Sequence, residues 1–218
     1  MQLTWMGHSC FLMESQTGTK LLTDPPDEAT GYNIAPQEVD AVTSSHAHHD
    51  HSNFALAPGA RRITGLGKTV VGDMEIEGFP SCHDNQNGAL RGGNILYKIT
   101  TDGLRLLHAG DIGVLPDEAT LKAIGKVDVL LVPVGGVYTI DAQGARELAN
   151  ILHVNVLIPM HYKTSGCLLD LQELTPLLQN ARDCAIHHMR QAELSLSPES
   201  LGQDRIIVLN YKENAEEE

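Results

Sequence analysis

The sequence predicts an α/β sandwich formed by a single domain over residues 1–212. Three features point there. Strand-like segments occur in both halves of the 218-residue chain, helical periodicity separates the later ones, and two near-continuous apolar runs, "VDVLLVPVGG" and "VNVLIPMHY", lie close together. Such runs suit strands covered on both faces, and strands alternating with helices imply helices layered on sheets.

Each element has a local reason. "QLTWMG", "CFLMES" and "KLLTDP" are short strand candidates separated by turn residues, and "DAVTSS" is a β-branched strand running into a polar loop. The segment "ALAPGARRITGLGKTVVG" has room for a short helix and a strand, after which "MEIEGFPSC" alternates as a strand does. "NILYKITTDGLRLLHAGD" reads as a hairpin turning at "TTDG". Between the two apolar runs, Ala142, Ala145, Leu148, Ala149 and Leu152 recur at helical spacing behind Asp141, a capping residue. "DLQELTPLLQNAR" is a further helix candidate that Pro176 kinks or restarts, and "DRIIVLNYK" is a late strand.

Composition narrows the function. Hydrophobic residues make up 42% and charged residues 20%, as in ordinary soluble proteins. No apolar run reaches the ~18 residues of a membrane span, and "MQLTWMGHSC" lacks the regions of a signal peptide. Cys10, Cys82, Cys167 and Cys184 are scattered without CxxC spacing, which fits a reducing, cytoplasmic location. A net charge of −13 disfavours nucleic acid as a partner. A small-molecule substrate is expected instead, with room for a homo-oligomer. Residues 213–218 read as an acidic, solvating tail.

The chemistry concentrates in "SSHAHHDHSN". His46 and His48 can point one way from such a loop, while a bend sends Asp50 and His51 toward a second ion; a merely solvated His-rich tract is the bland alternative. Imidazole with carboxylate suits zinc, manganese or iron. Two coordination shells need further donors. His83, Asp111 and His161 each stand just past a strand's C-terminal end, the usual place for an α/β active site.

These residues resemble the metallo-β-lactamase-fold hydrolases. The family's H-x-H-x-D-H signature stands unbroken at 46–51; its early aspartate matches Asp24 in "LLTDP", its third histidine His83, its bridging aspartate Asp111 in "HAGD", and its last histidine His161 in "PMHYKT". "MGHSCFLME", "LHAGDIG" and "VPVGGVYTID" are similar to the branch of metal-dependent hydrolases that includes ascorbate-6-phosphate lactonase. The resemblance implies a four-layered αββα sandwich and two divalent metal ions. His46, His48 and His83 would hold one ion, Asp50, His51 and His161 the other, and Asp111 would bridge them. Zinc leads, with manganese or iron as alternatives. Two ions ~3.5–4 Å apart would lower the pKa of a shared water from ~15.7 toward ~7, giving a bound hydroxide that attacks an ester, lactone or phosphoester. Asp50 could also accept a proton.

The remaining polar residues divide. Asp24 is expected to hydrogen-bond a ligand histidine from behind, against the alternative of a plain turn residue. His8 in "GHSC" is either at the catalytic floor or a satisfied buried histidine. His108 is a supporting or structural residue, Cys82 packs rather than ligates, and His49 points away. His153, His187 and His188 take no role. Tyr138 and Lys163 lie on loops bordering the site and are candidates for substrate contact. Only 31 residues separate His51 from His83, so a helix beside the site is expected to be trimmed. Two divalent ions, Asp50, Asp111 and hydroxide sum to about +1 locally, and ion charge dominates its surroundings, so a small anionic substrate is expected, phosphorylated, carboxylated or a sugar-derived lactone. The alternatives are a diiron-type oxidoreductase on the same fold, whose members typically carry Glu where His48 stands, and a non-catalytic metal-binding protein.

Overall fold

Alternation along the first strands decides which side of the sheet each residue faces. In the computed structural model, which describes residues 1–181 and 184–212, these strands are β1 (Gln2–Gly7), β2 (Cys10–Glu14), β3 (Lys20–Thr23) and β4 (Ala41–Thr43). Leu3, Trp5, Phe11, Met13, Leu21 and Ala41 enter one core, and Met6, Cys10, Leu22 and Val42 enter another on the opposite face. β5 (Arg61–Ile63) ends this sheet. β6 (Gly67–Val71), β7 (Met74–Cys82), β8 (Gly93–Thr101) and β9 (Leu104–His108) then pair antiparallel in sequence. α1 (Glu118–Ile124), β10 (Val129–Pro133), α2 (Ala142–Leu152) and β11 (Val156–Met160) follow. α3 (Thr175–Gln179), β12 (Ala185–His188), β13 (Glu193–Ser195) and β14 (Arg205–Val208) complete the described chain.

Two sheets result, a six-stranded β13-β1-β2-β3-β4-β5 and an eight-stranded β12-β14-β11-β10-β9-β8-β7-β6. The main core lies between them, where Trp5, Phe11 and Met13 share one apolar cluster with Ile76, Leu96, Leu106 and Leu131. Fully burying each such side chain stabilises the fold by roughly 1.5–3 kcal/mol. On the eight-stranded sheet, α2 buries Ala145, Leu148 and Ala149 and packs on β10, while α1 lies against β7. The Asp141 carboxylate caps α2 by accepting from the Gly144 amide at 2.9 Å, as the sequence suggests. Its other end closes at His153, in the left-handed region at φ 51°.

The outer layer on the six-stranded sheet is thin. Among the described residues it consists of loops and single 3-10 turns at Glu28–Thr30 and Phe54–Leu56, which bring Tyr32, Ile34, Leu56, Cys167 and Leu171 onto Cys10, Leu22 and Val42. The expected helix and strand after His51 are therefore one 3-10 turn and two short strands, β5 and β6. The "DLQELTPLLQNAR" candidate is helical only over Thr175–Gln179, with Pro176 in its first turn, where a missing N–H removes no internal bond. α1, capped by Asp117 through the Thr120 amide at 2.7 Å, together with β12 and β13, goes beyond the sequence reading. The acidic tail, 213–218, lies outside the described residues. Among the described residues no helix is long and apolar enough to cross a membrane.

The parallel pairs β3–β4, β9–β10 and β10–β11 bring strand C-terminal ends from both sheets to one edge of the sandwich. Gly110, between β9 and Asp111, makes this meeting possible. Its φ is +53°, and a Cβ there would press on Asn94 Oδ1 and the Ser45 side chain. Gly110→Ala should destabilise the protein by about 2–4 kcal/mol, combining left-handed strain with overpacking, as chemical denaturation would measure.

Candidate metal centre

Asp24 fixes the histidine loop from beneath. It directly follows β3, has φ +41° and is fully buried. Its Oδ1 accepts from the Ser45 amide at 2.9 Å, and its Oδ2 from the Ser45 hydroxyl and from His51 Nδ1 at 2.8 Å. With Nδ1–H donated to Asp24, His51 turns Nε2 into the site as a lone-pair donor.

Asp111 is the point of convergence. Its Oδ2 lies 3.2 Å from His51 Nε2, 3.3 Å from His83 Nε2 and 3.1 Å from His161 Nε2, from three separate strand ends. Of these, His51 Nε2 and His161 Nε2 are buried without a hydrogen-bond partner, as are His46 Nε2 and Asp111 Oδ1. Close approach without hydrogen-bond alignment is the pattern of atoms that share an ion. Donors bound tetrahedrally at ~2.0–2.1 Å lie about 3.3 Å apart. Asp111 is itself aimed by Asn94, whose Oδ1 accepts its amide at 2.9 Å and whose Nδ2 donates to Ala109 O at 2.9 Å.

Among the described residues three donor groups each lie within 4.8 Å internally: His46, His48 and His83; His8, Asp50, His51 and His161; and Asp24, His46 and His51. Asp111 touches the first through His83 and the second through His51 and His161. His8 sits in the turn after β1 at φ +52°. Its Nε2 meets Asp50 Oδ2 at 3.2 Å, and its ring lies 4.2 Å from that of His161. Its carbonyl accepts from Trp5 Nε1 at 3.0 Å and from the His161 amide at 3.2 Å, tying the two sheets together at the site. His8 is thus buried against the donors, not merely satisfied elsewhere.

Electrostatics fit a cation. Burial, with His161 adding to it, pushes His8 down to about 4; burial and the facing His51 push His46 down to about 3. Both imidazoles therefore favour the neutral form, which for His46 is the form that metals require. His51 behaves oppositely: burial disfavours its charge, yet Asp111, Asp24 and Asp50 hold its pKa well above the usual value. Burial likewise works against ionised Asp111, but His161 and His51 keep it well below the usual carboxylate range. Positive charge is thus favoured between these carboxylates, where a divalent ion supplies it more strongly than a proton.

Other expectations resolve individually. His49 is exposed and pairs with Asp27 at 3.0 Å. His108 is buried and structural, bonded to Ser9 O at 2.8 Å and accepting from the Gly110 amide. Among the described residues, neither His49 nor Cys82 belongs to a metal-capable group. Tyr138 does line the cavity over the site, with His48, Asp50, His83 and Asp111. Lys163 is corrected: its ammonium donates to the Cys167 and Leu169 carbonyls at 2.7 and 2.8 Å, so it closes its own loop and leaves the cavity. The cation at the cavity is Arg91, whose guanidinium lies 5.5 Å from the Tyr138 ring. Arg91, Asn94 and Ser45 went unnoticed in the sequence, where only "RGGN" leading into a strand marks the first two.

Comparison with known proteins gives the family and the fold. Residues 2–161 match the model of the beta-lactamase superfamily domain. A UPF0173 metal-dependent hydrolase from Methanoculleus marisnigri is 27% identical, with 93% of this chain and 100% of that protein covered. One from Methanoregula boonei is 31% identical over 75% of this chain and 83% of its own length. The crystal structure of a Thermotoga maritima protein, assigned as a Zn-dependent hydrolase of the metallo-beta-lactamase superfamily, superposes with a TM-score of 0.79 at 32% identity, covering 95% of this chain and 98% of that one.

Asp24→Ala strands the Ser45 amide and His51 Nδ1 at about 1–3 kcal/mol each and frees His51 to reorient. Metal affinity, read by competition with a chromophoric chelator, should fall about 10–100-fold. His49→Ala should retain its metal; stoichiometric loss would mean that His49 ligates.

Proposed function

Because the chain belongs to the beta-lactamase superfamily, among its UPF0173 metal-dependent hydrolases, we propose that it hydrolyses a small anionic ester, lactone or phosphoester at a two-metal site. The observation that carries this reading is the approach of three histidine Nε2 atoms to one oxygen of Asp111. His46, His48 and His83 would hold one ion, Asp50, His51 and His161 the other, with Asp111 shared between them. Zinc suits this imidazole-rich donor set, and manganese or iron remain alternatives for the experiment below. Bound ions supply Lewis acidity, lowering the pKa of water from ~15.7 toward ~7 and polarising the oxygen that gains charge.

The protein's own groups do the rest. Asp24 sets the His51 tautomer, and Asn94 sets the Asp111 carboxylate. His8 donates from Nε2 to Asp50 Oδ2, which orients Asp50. Burial opposes ionisation of Asp50, but the neighbouring His51 and His8 imidazoles hold its pKa far below the usual range, so it stays a carboxylate, the form a metal ligand requires. The net charge of −13 acts over the distant surface, and screening limits its reach to about 8–10 Å. At the cavity itself, Arg91 takes the part expected of Lys163 in attracting an anion. The hydrolase reading is preferred to the diiron-oxidoreductase alternative because His48 supplies an imidazole where such proteins typically carry Glu. A small-molecule substrate and a cytoplasmic setting complete the proposal.

Metal analysis with a panel of lactones, phosphomonoesters and phosphodiesters tests it. Alanine at His46, Asp50 or Asp111 should lower metal content and reduce kcat/KM at least ~100-fold on any substrate found; unchanged occupancy in all three would refute the ligand assignment. In matched ester pairs the anionic member should have the higher kcat/KM, and millimolar phosphate should inhibit. A consistent preference for the neutral member would overturn the charge argument.

A further inference from the structure

Arg91 stands at the junction of two cavities. One, of about 330 Å³, opens onto Asp50, His83 and Asp111 beside Tyr138. The other, of about 810 Å³, runs alongside past Phe54, Leu66, Pro80 and Ile95. Arg91 and His48 border both, so the larger groove adjoins the metal-capable cluster. The groove exists because the chain between His51 and β7 is short: a 3-10 turn and two strands leave Phe54 and Leu66 facing it, with Leu66 61% exposed. Exposed apolar surface beside a site marks contact with an apolar group.

The guanidinium at the junction shares its cavity with the carboxylates of Asp50 and Asp111. The adjacent buried acid, Asp84, gives its carboxylate to the amides of Gln86, Gly88, Leu90 and Arg91, at 2.7–2.9 Å. It therefore shapes the loop presenting Arg91 without pairing with the guanidinium. Among the described residues the Arg91 guanidinium meets the Tyr138 ring and no carboxylate within 4.0 Å, in a protein of net charge −13. A planar guanidinium held over an aromatic ring matches a carboxylate, phosphonate or phosphate through paired hydrogen bonds.

We infer that the substrate is an anionic amphiphile, its acid group met by Arg91 and its apolar chain or ring laid in the Phe54–Leu66–Pro80–Ile95 groove, with the scissile bond between them at the metal-capable cluster. This rests on the hydrolase reading and narrows it, favouring an amphiphile over a bare sugar lactone because Phe54, Leu66, Pro80 and Ile95 give the groove an apolar wall that a sugar would leave unused.

Calorimetric titration of the metal-loaded protein with ethylphosphonate and octylphosphonate, below the concentration at which either aggregates, tests the inference without turnover. Burying a methylene is worth roughly fourfold in affinity, so even partial cover of six should make octylphosphonate about tenfold tighter or more. Leu66→Gln, at an exposed position outside the core, should collapse that ratio, whereas Ile151→Gln on the far side of α2 should leave it intact. Arg91→Gln should weaken both ligands about tenfold and preserve the ratio. A native ratio near one, or a ratio that survives Leu66→Gln, overturns the groove assignment. Equal binding by Arg91→Gln and the native protein overturns the role of Arg91. Because binding is read directly, absence of any esterase activity would count against the hydrolase reading alone, and hydrolysis with a ratio near one would count against the amphiphile alone.

Discussion

The site depends on one buried carboxylate. Asp24 accepts from the residue that opens the histidine loop, Ser45, and from the residue that closes it, His51. A loop of small and polar residues such as 44–51 has little packing of its own, so this clamp decides where its imidazoles point. Burying a carboxylate is unfavourable unless it is paired, and Asp24 is paired at both oxygens. It also sits in the left-handed region, as do His8 and His161, at φ +52° and +51°. Strain of about 1–3 kcal/mol at each such residue is tolerated because the surroundings over-determine it, and here it is concentrated at the meeting of the two sheets.

The donor set is asymmetric across Asp111. His8, His51 and His161 are fully buried, whereas His46 is partly covered and His48 is exposed to both cavities. Electrostatic attraction is stronger where water is excluded, so the inner group is suited to holding charge and the outer group to meeting what enters. The thin outer layer on the six-stranded sheet belongs to the same arrangement. Without an α-helix after His51, the outer histidines look directly into the groove.

Much of this was legible in the sequence because metal chemistry and strand geometry both write in short periods. The spacing at 46–51 permits few other readings, and His83, Asp111 and His161 each follow an apolar or alternating strand. The α2 stripe and its Asp141 cap were equally plain. What escaped depended on distant partners. Lys163 looked like a site cation until the carbonyls of Cys167 and Leu169 claimed it, and nothing near residue 163 encodes that turn. Arg91 owes its position to Asp84, whose bonds reach seven residues along the chain. α1 is only seven residues long, and its cap, not its periodicity, is its best signal. The strands β5, β6, β12 and β13 are short and mostly exposed, so their pairing is settled by the sheet they join.

Anomalous scattering from crystals grown with the native metal addresses the central claim most directly. The account predicts two peaks flanking Asp111, one among His46, His48 and His83 and the other among Asp50, His51 and His161. A single peak, or metal bound away from Asp111, would contradict it.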